Sequence, residues 1–245
     1  MVHAVVVGVT HDPGLLPRWF GVSGPNLAEG FGLGLLRLVS YQFVHAFVPP
    51  THFLFNMLCL YFFGTWVEAG VGKRRFLAIY LVGGVVGALV EVGIRLLFLQ
   101  SADVLVIGAS GACYATLVYA ACMSPRATVW LVAFPVQMQV LAWVLVALGA
   151  YELYANLLFG AGGVAHGCHL GGALWGFLTY RYRLDPARVV DRMSQWRERR
   201  VEEDAVAQRE TLDRLLDKVH REGLSALTPA ERRFLDRKSR DMRGR

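Results

Sequence analysis

Ser110 stands between Gly108 and Gly111 at the head of an apolar run that reaches Met123, and His169 lies on a later apolar segment. A serine hydroxyl beside a neutral imidazole is the pair that nucleophilic acyl transfer needs: the ring takes the proton while the oxygen attacks. A helix starting at Ser110 would add unpaired backbone N–H groups where an oxyanion develops. Gly108 and Gly111 leave room for close backbone approach and unusual dihedrals. The same Gly-x-Ser-Gly pattern also serves as a plain packing face between membrane helices, so Ser110 alone does not decide the matter. The segment His169-Leu-Gly-Gly172-Ala-Leu-Trp-Gly176 weighs more. Gly172 and Gly176 have the spacing that lets a partner backbone come very close, and His169 lies one turn before them on the same face. His166 is a further turn back, but the glycines extend from His169, which makes His169 the expected base. His52 and Asn56 are four apart and share a helix face. They read either as an interhelical structural pair or as oxyanion donors, each of the latter worth roughly 2.7–4 kcal/mol.

These residues need a scaffold, and the composition says which kind. Of 245 residues, 55% are hydrophobic, and the mean hydropathy is +0.40, too apolar for an ordinary soluble domain. Charge is concentrated after Tyr180, where the chain carries 18 basic and 13 acidic residues. A membrane region over residues 1–183 and a solvated helical tail over residues 184–245 are therefore expected. The net charge of +6 suits an anionic inner leaflet. Mixed charge signs and few tail aromatics argue against nucleic acid as a partner. Cys59, Cys113, Cys122 and Cys168 lack metal-ligand spacing and read as small apolar residues.

Five spans are expected, over residues 52–67, 76–98, 107–123, 138–158 and 164–182, within an all-α bundle. Residues 31–48 are long enough to span but carry Arg37 centrally, which costs roughly 2.5–3.5 kcal/mol on insertion. They read instead as an irregular, interface-lying segment. Residues 127–136, broken by Pro135, read as a connecting loop. Residues 1–9 are too short to span and lack a cleavable-signal pattern. Lys73-Arg74-Arg75, Arg126 and the residues after Tyr180 follow the first, third and fifth expected spans. They share one side, cytoplasmic by the positive-inside rule. Glu91 and Arg95, four apart, read as a structural ion pair.

The tail has its own signals. Asp185-Pro186 starts a helix, and Thr228 with Glu231 forms a capping box. Leu212, Leu215, Leu216 and Val219 make an apolar stripe ending near Gly223. Leu224, Leu227, Phe234 and Leu235 are expected to close against it as a hairpin.

Taken together, Arg37, His45, His52-Phe-Leu-Phe-Asn56, Gly64, Glu68, Gly108-Ala-Ser110-Gly111, Tyr114, His169, Gly172 and Gly176 resemble the pattern of the rhomboid intramembrane serine proteases, across residues 36–182. The resemblance implies a six-helix bundle with a water-filled cavity opening on the extracytoplasmic side, and no metal or cofactor. It implies Ser110 as nucleophile and His169 as base. His52, Asn56 and the Ser110 N–H would be oxyanion donors, with His45 also lining the cavity. Tyr114 would pack on the imidazole, and Arg37 and Glu68 would be structural. The implied partners are a transmembrane protein substrate and the bilayer of a bacterial inner membrane. The pattern departs at Leu36, where tryptophan is usual, and at the two-residue insertion containing Pro49 and Pro50. The family's first helix is missing or reduced to residues 1–9, from an upstream start or a five-span form with its N-terminus outside. The alternative function is a proteolytically inactive relative that binds membrane clients. A small transporter is disfavoured, because the sequence lacks an inverted repeat.

Overall fold

A computed structural model describes residues 14–29, 32–46, 50–99, 103–131, 134–160 and 164–243. The expectation about residues 1–9 lies outside them. The chain divides into two compact units, Met1–Ala187 and Arg188–Arg245.

Among the described residues of the first unit three helices are long and apolar enough to cross a membrane: α4 (Thr51–Val71), α5 (Lys73–Leu99) and α7 (Met138–Phe159). Among the described residues three short helices precede them: α1 (Leu15–Phe20), α2 (Gly24–Leu27) and α3 (Leu33–Ser40), the last running into a 3-10 turn at Tyr41–Phe43. Residues 32–46 thus form no single spanning helix, as expected. Arg37 explains it: its guanidinium donates to the Arg18 carbonyl (3.0 Å) and pairs with Glu29 (3.2 Å), leaving no charge to be carried into hydrocarbon.

Of the five expected spans, three are thus helices of full membrane length, and the other two are shorter. The other two apolar segments form α6 (Ser110–Met123) and α8 (His166–Arg181), of 14 and 16 residues. At 1.5 Å per residue they are about 21 and 24 Å long. The apolar run before Ser110 fails to be helical because it is used otherwise. Val106 forms an antiparallel bridge with Val22, exchanging two backbone hydrogen bonds of 2.8 and 3.1 Å. Gly108 then turns with φ +113°.

The loop expected over residues 127–136 is also corrected. It contains a two-stranded antiparallel hairpin, β1 (Thr128–Leu131) with β2 (Phe134–Gln137), in which Val129 faces Val136. Thr, Val, Trp and Phe fit a pleated surface, and proline is tolerated in a strand with a free edge. The expected all-α architecture therefore holds apart from this hairpin.

The core lies where α8 rests against α5 and α6. Small residues make this possible: a Cβ on Gly172 would collide with the Gly111 carbonyl, and one on Gly176 with that of Ala115. By contrast, α7 buries only Met138, Ala142, Gly149 and Asn156, leaving Trp143, Tyr151, Tyr154 and Phe159 exposed. Such an apolar exterior suits lipid as the surrounding solvent.

In the second unit α9 (Ala187–Glu222) ends at Gly223, whose φ of +84° needs no Cβ. A 3-10 turn at Leu224–Ala226 leads to α10 (Pro229–Arg243). Leu215 is buried and Phe234 and Leu235 are partly so, but Leu216, expected in the same stripe, is 52% exposed. Lys218 reaches Glu231 (3.1 Å) and Lys238 reaches Gln208 (2.5 Å), tying the two helices together. Glu231 accepts the Thr228 N–H (2.8 Å) and donates its own N–H to the Thr228 hydroxyl (3.3 Å). The Thr228 N–H, then the Lys218 ammonium, hold the Glu231 carboxyl below its ordinary value. A depressed carboxyl stabilises the fold while ionised and loses that contribution as pH falls through its folded-state value. Acidification is therefore expected to reduce amide protection at residues 228–232 more in the wild type than in Glu231→Gln. Exchange mass spectrometry at matched pH checks this.

Candidate active site

Three segments, residues 41–45, α4 and α8, converge on the first turn of α6. Ser110 is the first residue of that helix, so its own N–H is among those without an intrahelical acceptor. Its hydroxyl lies 2.8 Å from His169 Nε2 on α8. With the ring proton on Nδ1, Nε2 accepts from the hydroxyl. Tyr114, one turn after Ser110, stacks on the His169 ring with centroids 4.5 Å apart and planes 6° from parallel. That contact fixes the ring's plane, as the hydrogen bond fixes its edge.

The approach to Ser110 is held from the other side. Gly108 donates its N–H to the Tyr41 carbonyl (3.0 Å) and Ala109 donates its N–H to His45 Nε2 (3.2 Å). A Cβ on Gly108 would meet His52 Cε1 at 2.7 Å, so the left-handed backbone and the His52 ring both exclude a larger residue. His52 in turn lies edge-on to His45, at 5.3 Å between centroids. Asn56 is buried and donates one amide hydrogen to the His52 carbonyl (2.9 Å), leaving a second to give. The Cys113 thiol donates to the Asn56 carbonyl (3.5 Å), which sets α4 beside the first turn of α6. Ser110, His52 and His169 are each only partly buried. The arrangement can therefore activate a hydroxyl and place several N–H donors beside it.

Of the residues singled out by spacing or by the resemblance, Ser110, His169, Tyr114, His45, His52, Gly108, Gly111 and Gly172 meet here, with Asn56 alongside. Gly176 belongs to the same helix contact one turn on. Arg37 and Glu68 do not join the cluster. Arg37 braces the α1–α3 region, and Glu68 is 16 residues along α4 from His52, about 24 Å away.

Three participants were not singled out. Tyr41 holds Gly108 by its carbonyl, while its hydroxyl donates to the Gly84 carbonyl (2.7 Å) and lies 3.4 Å from Cys168 Sγ. Glu152 on α7 lies 3.1 Å from His166 Nδ1, and the His166 ring meets His169 edge-on at 5.8 Å. Glu91, read only as the partner of Arg95, also accepts the Cys168 N–H (3.1 Å). The Tyr41 contacts follow no period that would announce them. A carboxylate within an apolar segment was the available signal for Glu91 and Glu152.

Residues 33–185 match the Rhomboid domain, and residues 197–241 match a family of unknown function (DUF6576). The chain is 32% identical over 151 residues to "Presenilin-associated rhomboid-like protein A, mitochondrial" of Danio rerio, covering 61% of this chain and 38% of that protein. It is 32% identical over 104 residues to "Putative rhomboid protease YdcA" of Bacillus subtilis (strain 168), covering 40% of this chain and 49% of that protein. In both cases the match spans less than half the relative's length.

Proposed function

Because the chain belongs to the rhomboid family, we propose that it is an intramembrane serine endopeptidase working through a Ser110–His169 dyad. The observation that carries this reading is the 2.8 Å contact between Ser110 Oγ and His169 Nε2, with Tyr114 stacked on the ring. His169 takes the hydroxyl proton as Ser110 attacks a peptide carbonyl. The Ser110 N–H, His52 and the free Asn56 amide hydrogen stabilise the oxyanion. The imidazolium then protonates the leaving amine, and water hydrolyses the acyl-enzyme by the reverse sequence.

The substrate is a transmembrane protein cut in or near its spanning segment. A helical backbone hides its carbonyls, so the substrate must unwind locally, and small or helix-breaking residues at the cut site are favoured. The enzyme sits in a bacterial inner membrane with several crossings. Lys73-Arg74-Arg75, Arg126 and the basic tail face the cytoplasm. No metal or cofactor enters this chemistry.

The oxyanion assignment makes its own prediction. Asn56→Ala is expected to lower kcat by about 10²-fold while leaving KM near the wild-type value. Initial rates on a fluorogenic transmembrane reporter in proteoliposomes check it.

The reading as a whole is tested with the purified chain, by reaction with a fluorophosphonate probe and by mass spectrometry of reporter fragments. Labelling at Ser110 with release of a discrete fragment supports the protease. A folded chain that binds the reporter yet neither labels nor cleaves it would instead be a client-binding relative.

A further inference from the structure

Glu91 and Arg95 are the most deeply buried charged residues in the described part of the membrane region, 2% and 4% exposed on α5. Arg95 Nε donates to Glu91 Oε1 at 2.6 Å. The other carboxylate oxygen is not left to the pair. Glu91 Oε2 accepts the backbone N–H of Cys168, the residue before His169, at 3.1 Å. That N–H sits in the first turn of α8 and is shared with the Ala165 carbonyl, as is common where a helix starts and lacks full internal partners. A negative charge there also suits the positive end of the helix.

The fit is close around this contact. A Cβ on Gly167 would come within 2.7 Å of both Glu91 Oε2 and Ile94 Cδ1, and one on Gly87 within 2.6 Å of the Cys168 carbonyl. The α8 start is therefore pressed onto α5 at the residues adjoining His169. An isolated ion pair in an apolar interior gives little stability that well-packed apolar side chains would not, so its use here lies in fixing one arrangement. Arg95 holds the Glu91 carboxylate in one orientation, and Glu91 fixes the α8 terminus.

We propose that Glu91, held by Arg95, is a positioning residue that sets the axial placement of α8 and thereby the distance from His169 Nε2 to Ser110 Oγ. The inference rests on the serine-protease reading above and adds a residue to it that touches neither substrate nor the reacting atoms.

The test uses the full chain in proteoliposomes, with two charge-balanced double variants. Glu91→Leu with Arg95→Leu removes the acceptor without leaving an unpaired charge. Glu91→Gln with Arg95→Leu keeps an amide carbonyl able to accept the Cys168 N–H. The double-leucine chain is expected to react with the fluorophosphonate probe about tenfold more slowly or worse, with kcat reduced in step and KM within about twofold. The glutamine variant is expected to recover most of the rate. Wild-type labelling by the double-leucine chain overturns the inference, and so does equal loss in both variants. If the double-leucine chain does not fold, Glu91→Asp decides in its place, since it keeps the charge balance but draws the carboxylate back from Cys168. Slow labelling at unchanged KM then supports the inference, and wild-type labelling overturns it. Failure of the wild-type chain itself to label at Ser110 removes the protease reading and this inference together, whereas the other failures remove the inference alone.

Discussion

Cleavage of a transmembrane reporter is expected to fall by at least about 10⁴-fold in Ser110→Ala and likewise in His169→Ala, with the double variant little worse than either. The non-additivity follows from the geometry. Ser110 Oγ and His169 Nε2 share one hydrogen bond of 2.8 Å, so removing either partner removes the function of both. Ser110→Ala leaves no nucleophile. His169→Ala leaves a hydroxyl with no acceptor for its proton, and a serine hydroxyl is a weak nucleophile at neutral pH. Neither change disturbs the helix contact, because Gly111, Gly172 and Gly176 remain. Both variants should therefore reconstitute and bind the reporter normally. Rates and binding measured side by side in proteoliposomes check this, and wild-type turnover by either variant would end the dyad reading.

The second large effect concerns a residue with no side chain. Gly172→Ala is expected to lower activity by about 10²-fold or more, whereas Gly149→Ala should leave it intact. A Cβ on Gly172 would strike the Gly111 carbonyl and approach the Gly111 Cα at 3.2 Å. Backbone atoms of α6 cannot step aside as a flexible side chain can, so the helices must separate next to Ser110. Overpacking of this kind typically costs 1–3 kcal/mol, and a displacement of about 1 Å at the reacting atoms costs about 10²-fold in rate. On α7, a Cβ at Gly149 would meet only Leu170 Cδ2, at an ordinary 3.8 Å. Alanine there is expected to stabilise the helix by about 0.5–1 kcal/mol. Fluorophosphonate labelling rates and thermal aggregation midpoints for the two variants separate the cases. Equal tolerance at both positions would mean that the α6–α8 contact does not set the Ser110–His169 geometry.

The Ser110–His169 pair was legible because chemistry and membrane burial conflict. A histidine followed by Gly172 and Gly176 on one face, and a serine between glycines, are costly or wasteful in an apolar segment unless something uses them. His52 and Asn56 were legible for the same reason. What holds these residues was not. Tyr41 acts through its backbone carbonyl on Gly108 and its hydroxyl on Gly84, and neither contact leaves a trace in residue type or spacing. Glu91 was visible as the i, i+4 partner of Arg95, but its second oxygen reaches a helix far along the chain.

Hydrophobic periodicity and charge placement, which depend only on local composition, by themselves determined the greasy bundle, the charged tail, the capping box at Thr228 and the nature of the Ser110 and His169 segments. Where each helix begins was decided in three dimensions. The apolar residues before Ser110 are recruited into a bridge with Val22, so α6 starts at the serine itself. The stretch expected as a loop pairs into a hairpin because its two halves meet across the chain. An apolar run states that a segment must be buried; only its neighbours state whether that burial is met by lipid, by a facing helix, or by a strand, since backbone hydrogen bonds outside a helix require a partner the local sequence does not contain.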